Sequence, residues 1–256
     1  MSGPTRIIDL SVPLMNYSMD THEQTIHYLD HAEVARQRAK TYDIGADRFP
    51  VPHLHTATEV VTLTTHAGTH VDAPWHYGPT SEGRPARTID EIPLEWCYGD
   101  GVVLDFTAKR ADELIWPADI DAALARIGYG LRPLDIVLIR TGCDRFFDQP
   151  DWNRRHPGMS REATLHLIDH GIRMMGTDGW GFDIPIPTMV ERLRRGDQAA
   201  FFPAHYAGRD REYCHIEKMA NLGAIPRPLG FKVACFPVKV HRGSGGWCRA
   251  VAIVEE

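Results

Sequence analysis

Residues 66–77 read HAGTHVDAPWHY, which places His66, His70, Asp72 and His76 in one short stretch beside Gly68 and Pro74. Imidazole nitrogen and carboxylate oxygen are the ligands of first-row divalent ions such as zinc or manganese. A helical reading would stack His66 and His70 at i and i+4 on one face. Gly68 and Pro74 oppose it, since proline disfavours helical geometry at the residue before it, here Ala73. The segment is therefore expected to be extended or turned. In that form a turn at Gly68 swings His66 back toward His70, while His70 and Asp72, two residues apart, project from the same side. Three N/O ligands then converge. An iron-dependent oxygenase uses the same types, two histidines and one carboxylate, and a catalytically silent metal-binding protein needs no more than these. A histidine-rich loop of hydrogen-bonded side chains is the blandest alternative.

The elements that must position these groups are mostly strands. β-Branched runs lie at 59–65 (EVVTLTT), 101–106 (GVVLDF), 135–141 (DIVLIRT), 231–240 (FKVACFPVKV) and 249–255 (RAVAIVE). Helices are expected over 117–127 (PADIDAALARI), 160–172 (SREATLHLIDHGI) and 187–195 (PTMVERLRR), with a further one over 21–40. In the 160–172 segment Ser160 is the N-cap, and Leu165, Ile168 and Ile172 recur at helical spacing. Strands outnumber helices without strict βαβ alternation, so an α/β fold with a mixed sheet is expected rather than a doubly wound one. No internal repeat or low-complexity linker divides the chain, and residues 1–256 are read as a single domain. No GxGxxG or Walker-type loop follows a strand, so nucleotide cofactors are not indicated.

Composition bounds the function. A net charge of −6, with Lys and Arg spread along the chain, supplies no basic field for a phosphate backbone, so nucleic acid is not an expected partner. No window approaches the roughly 20 apolar residues that span a bilayer, and the start MSGPTRIIDLSVPL lacks a signal-peptide core. A cytoplasmic protein without membrane contact is expected. Five cysteines, an odd number with no CxxC pair, argue for reduced packing residues. His27/His31 and His166/His170 also sit at i and i+4, but neither pair has the Glu of HExxH, and both are read as surface pairs. Trp75, Trp180 and Phe182 are candidates for an aromatic substrate pocket or for the core. His215 receives no role.

The stretch HAGTHVDAPWH resembles the HxGTHxDxPxH signature of the metal-dependent cyclase-like hydrolase family, of the kynurenine formamidase and isatin hydrolase type; every specified position agrees. The resemblance extends through IDLSVPL, DIVLIRTG, GTDGWGFD at 176–183, and HYAGRDREYCHIEKMANL followed by GFKVACFPVKV. It implies a swivelling β/β/α-type fold, a homodimer, and one or two divalent ions, Zn2+ or Mn2+. It implies that His66, His70 and Asp72 hold one ion, that Asp72 bridges to a second held with His205 and Glu217, and that His76 is the catalytic acid/base. The implied reaction is hydrolysis of an amide, lactam or lactone bond in a small cyclic or aromatic substrate. A metal-activated water would attack the carbonyl.

Overall fold

Nine strands form one mixed sheet in the structure, a computed structural model that describes residues 4–16 and 24–255. In spatial order they are β1 (Thr5–Asp9), β15 (Val251–Glu255), β13 (Phe231–Ala234), β7 (Tyr98–Asp105), β9 (Ile136–Arg140), β11 (Met174–Thr177), β12 (Cys214–Glu217), β4 (His70–Asp72) and β14 (Gly245–Trp247). The centre, β7–β9–β11–β12, is parallel. Both flanks are antiparallel. Short ladders join β5 (Thr80–Ser81) to β6 (Arg84–Pro85) and β8 (Leu114–Ile115) to β10 (Gly158–Met159).

Parallel strands covered on both faces need apolar side chains on both, and the buried run Ile136–Val137–Leu138–Ile139 meets that demand. Alternation then sorts the residues between two cores. Val102, Leu104, Val137, Ile139 and Met175 pack with α3 (Pro117–Ile127), α4 (Arg161–Asp169) and Ala204 of α6 (Pro203–Asp210). Val103, Ile136, Leu138, Cys214, Ile216 and Val71 form the other core with Val233, Ala252 and Val254. Because Val71 and Ile216 take the second face, His70, Asp72, His215 and Glu217 are left on the first.

The helices at 117–127 and 160–172 form as expected. Pro117 opens α3 at its first position and Gly128 closes it with φ +64°, while the Ser160 side chain caps α4 by accepting from Ala163 N. The helix expected at 187–195 is α5 (Ile186–Arg194). One expectation fails, and two expected strands form with different bounds. Residues 21–40 are not one helix: their described part is β2 (Thr25–Leu29), then α1 (His31–Tyr42), and residues 21–23 lie outside the described residues. Asp30 explains the break, since its carboxylate accepts from Glu33 N at 2.8 Å and starts α1 there. His27 thus lies on a strand and His31 on a helix. The run expected as a strand over 59–65 becomes β3 (Thr58–Thr62), which pairs with β2 in register Thr25↔Thr62, is exposed along its length, and does not join the large sheet. The strand expected over 231–240 ends at Ala234, before Pro237 removes a ladder donor.

The described residues fall into two compact units, one drawn from 1–14 and 65–256 and the other from 15–64. The large sheet and all the candidate site residues belong to the first. Among the described residues, no helix is long and apolar enough to cross a membrane. The cysteines are free, and all but Cys248 are buried.

Candidate metal centre

Antiparallel pairing of β4 with β12 builds the centre. Its register sets His215 opposite Asp72 and Glu217 opposite His70, so two histidines and two carboxylates form a square on one face. Two further elements bring the remaining groups. Gly68, at φ +56°, turns the chain so that His66 Nδ1 reaches Asp72 Oδ1 at 2.7 Å. After β4, Ala73 stays extended and Pro74 opens the single turn α2 (Pro74–Tyr77), which carries His76 Nε2 to 3.7 Å from Asp72 Oδ2. His205 comes from the first turn of α6, whose N-terminus is capped by Asp183 through Ala204 N at 2.6 Å.

The two oxygens of Asp72 face different groups. Oδ1 meets His66 Nδ1 and, at 3.2 Å, His70 Nε2. Oδ2 meets His215 Nε2 at 3.0 Å, His205 Nε2 at 3.5 Å and His76 Nε2. Glu217 closes the far side: its Oε1 lies 3.7 Å from His205 Nε2, and its Oε2 lies 3.8 Å from His70 Nε2. Asp72, His70, His205, His215 and Glu217 are buried, His66 is half-buried, and His76 is exposed at the edge. The structure thus brings His66, His70, Asp72, His76, His205 and Glu217 into one cluster.

Whether this cluster suits a cation is decided by where the protons sit. His70 Nδ1 donates to the Gly68 carbonyl at 2.9 Å, which leaves Nε2 unprotonated and aimed at carboxylates. His205 Nδ1 is paired with the Asp183 carboxylate, a carboxylate–histidine arrangement that turns Nε2 toward Asp72. His70 Nε2, His215 Nε2 and Asp72 Oδ2 are buried without any hydrogen-bond partner. Unpaired acceptors crowded together repel one another, and a divalent ion among them removes the repulsion. The donor set fits such an ion.

The same groups also set one another's charge. Burial works against ionisation of Asp72, but the His76, His66 and His70 imidazoles outweigh it and hold the carboxyl well below its usual range. Glu217 is lowered in the same way, burial being overcome first by His215. His205 is raised well above the ordinary histidine value because Asp183 outweighs burial. Although the edge of its ring reaches solvent, desolvation where His76 packs against the cluster is the largest influence and pushes it down to about 4, which leaves the ring neutral at pH 7.

Support beyond these groups is specific. Lys218 Nζ donates to the His66 carbonyl at 2.9 Å and lies 4.7 Å from the centre of the Trp180 ring, while the Thr69 hydroxyl donates to the Lys218 carbonyl at 2.6 Å. A Cβ on Gly245 would come within 2.7 Å of His66 Cε1, so only glycine leaves room for that imidazole. Phe182 is buried against His215, ring centroids 4.5 Å apart, which makes it packing under the centre. Trp180 is buried too, and Trp75 is half exposed. His166 pairs with Asp121 at 2.8 Å, away from the cluster.

Sequence reasoning assigned no role to His215 or Asp183. The signal for His215 was the alternation in CHIE, since a strand that turns Glu217 inward turns His215 inward as well. Asp183 needed the fold, because its link to His205 spans 22 residues.

Known proteins resemble this chain in sequence and in fold. An isatin hydrolase from Roseibium aggregatum is 26% identical over 208 residues, 76% of this chain and 73% of that protein. A kynurenine formamidase from Salinibacter ruber is 27% identical over 193 residues, 74% and 76% of the two chains. The crystal structure of an isatin hydrolase bound to the product analogue thioisatinate matches with a TM-score of 0.74 at 21% identity, over 98% of this chain and 93% of that one, so the mixed α/β fold is shared. The family described as "Putative cyclase" matches residues 8–184, more than half of the chain, and this protein belongs to it.

Proposed function

We propose that this protein is a metal-dependent hydrolase that opens or cleaves an amide, lactam or lactone bond in a small cyclic or aromatic substrate. The observation that carries the reading is Asp72, whose two oxygens face separate sets of imidazoles while Oδ2 has no hydrogen-bond partner. Similarity to an isatin hydrolase and a kynurenine formamidase supports the amide-type bond and the ring-bearing substrate. His66, His70 and Asp72 would hold one ion, with Asp72, His205 and Glu217 holding a second; zinc and manganese suit this mixture of nitrogen and oxygen donors. Such ions supply Lewis acidity, polarising a carbonyl and lowering the pKa of water.

His76 does the proton chemistry in this reading. Its neutral imidazole stands at the exposed edge of the cluster, where it can take a proton at Nε2 from water and return it to the departing nitrogen or oxygen. Asp183 holds His205 in the orientation that presents Nε2, and Lys218 holds the turn that carries His66. The reading includes a cytoplasmic homodimer, and sedimentation of the purified protein tests the dimer. The activity is tested on cyclic amides, lactones and N-formyl anilines, using protein stripped by chelator and reloaded with zinc or manganese. Turnover should return with metal and proceed without oxygen. Turnover that requires oxygen and a reductant would replace the hydrolase with an oxygenase.

A further inference from the structure

We infer that His215 is a fourth ligand in the inner half of the centre, making Asp72, His205, His215 and Glu217 a closed cage for one ion and leaving the reaction to the His66/His70 half. The inference rests on the metal-dependent reading above and adds a division of labour between its two halves.

The proton on His215 is placed by two tyrosines. His215 Nδ1 lies 3.1 Å from both the Tyr77 and the Tyr213 hydroxyl oxygens. Tyr213 donates its proton to the Ala204 carbonyl at 2.8 Å, and the proton of Tyr77 points to the Asp72 carbonyl at 3.4 Å. Each hydroxyl has one proton to give, so each turns a lone pair toward His215, and Nδ1 must carry the hydrogen. Nε2 is then an acceptor. It sits 3.0 Å from Asp72 Oδ2 and 3.3 Å from Glu217 Oε1, fully buried and without a hydrogen bond to either. Neither of these close contacts has the geometry of a hydrogen bond. The ring is also held in place, stacked on Phe182 and on Tyr77. A cation between the three acceptors is the arrangement that satisfies all of them.

The halves differ at one edge, where half-buried His66 lies beside exposed His76, while His70 is as buried as the inner four residues. One ligand atom from each of Asp72, His205, His215 and Glu217 can be chosen so that all lie within 4.8 Å of one another, and all four residues are buried. A second such group, His66, Asp72 and His76, includes a half-buried and an exposed residue. Four protein ligands in a closed setting are the pattern of a structural ion, whereas a catalytic ion keeps an open position. The inner ion would therefore fix Asp72 and the β4–β12 pairing, and substrate would enter beside His66 and His76.

The test is metal binding, read by isothermal titration calorimetry with zinc and by metal analysis after dialysis, on the wild-type protein, His215→Ala, His215→Gln, Tyr213→Phe and His66→Ala. Wild type should take up two ions. Both His215 variants should keep one ion at wild-type affinity and bind the second at least about 100-fold more weakly, beyond the effect of losing an outer partner. Tyr213→Phe, which keeps the ring and removes only the hydroxyl, should weaken the same ion by about 10–100-fold. His66→Ala should lose the other ion and retain the caged one. Two ions held at wild-type affinity by His215→Gln and by Tyr213→Phe would overturn the inference while leaving the hydrolase reading intact. A wild-type protein that takes up no ion would overturn both.

Discussion

Asp183→Asn isolates what orients an imidazole from what binds the ion. In the wild type Oδ1 accepts from Ala204 N at 2.6 Å, and Oδ2 faces His205 Nδ1 and, at 3.4 Å, His205 N. Asparagine has the same size but one acceptor oxygen where two are needed. If that oxygen stays on Ala204, the amide nitrogen faces His205 Nδ1, the ring takes the other tautomer, and Nε2 carries a proton toward Asp72 Oδ2. A protonated nitrogen cannot bind a cation. If the amide is reversed, two donors meet at the start of α6 and the cap is lost. Loss of such an outer partner weakens metal binding by about 10–100-fold, which is about 1.4–2.8 kcal/mol. Without metal the unpaired buried group costs about 1–3 kcal/mol of stability. For a chain of this length each kcal/mol lowers the melting temperature by about 2–4 °C. Thermal melts with chelator and with excess zinc read both effects together: the variant should melt lower in chelator and gain less from zinc than the wild type. A zinc affinity within twofold of wild type would refute the claim that Asp183 sets the His205 tautomer.

Four other outcomes follow from the same geometry. His76→Ala should keep its full metal content and lose turnover by about 10²–10⁴-fold, the range for a missing acid/base; retained turnover would remove His76 from the proton chemistry. Asp72→Ala should release both ions on dialysis, because its two oxygens face different sets of imidazoles at the centre of the cluster, and full metallation of the variant would contradict its bridging role. Gly208→Ala puts a Cβ at 2.1 Å from Tyr77 Cδ2 and should cost about 1–3 kcal/mol in urea denaturation, as overpacking does. Burial holds His156 at about 4, against 6.5 for an exposed histidine, so the unfolded chain takes up its proton first as pH falls. The stability it protects is present above pH 6.5 and lost toward pH 4, by about 3 kcal/mol in all, and His156→Gln should flatten that acid slope in metal-free protein.

The legible part of the centre was the part written in consecutive residues. Gly68 and Pro74 excluded the helix, and the spacing of His70 and Asp72 put them on one face, as the structure has them. Long-range partners were different. His205 and Glu217 were placed through family resemblance, since nothing local says that α6 and β12 approach β4. The same local reasoning misjudged 21–40, whose first described part is a strand paired with the strand that 59–65 was expected to form. Tertiary pairing overrode the pattern there, because a β-branched run next to a motif carries no label for its partner.

His215 shows how far period-two reasoning reaches when it is applied evenly. The rule that put His70 beside Asp72 on β4 applies unchanged to His215 and Glu217 on β12, yet alternation alone leaves two faces open. The apolar neighbours decide between them: Cys214 and Ile216 join the same core as Val71, so the intervening residues of both strands must face the helices. Antiparallel register then sets histidine against aspartate and glutamate against histidine across the ladder. Four ionisable groups so placed in a buried layer are costly without a cation, because each is separated from water and several lack a hydrogen-bond partner. The sheet can keep this register because the parallel centre beside it is apolar on both faces, and the expense of the polar square is carried by binding, which makes the stability of β4 against β12 dependent on metal. Chelator should therefore loosen amide protection at Val71 and Ile216 before it does so at Val137 and Leu138 in the apolar centre, and hydrogen exchange measured with and without zinc would refute this if all four slowed equally.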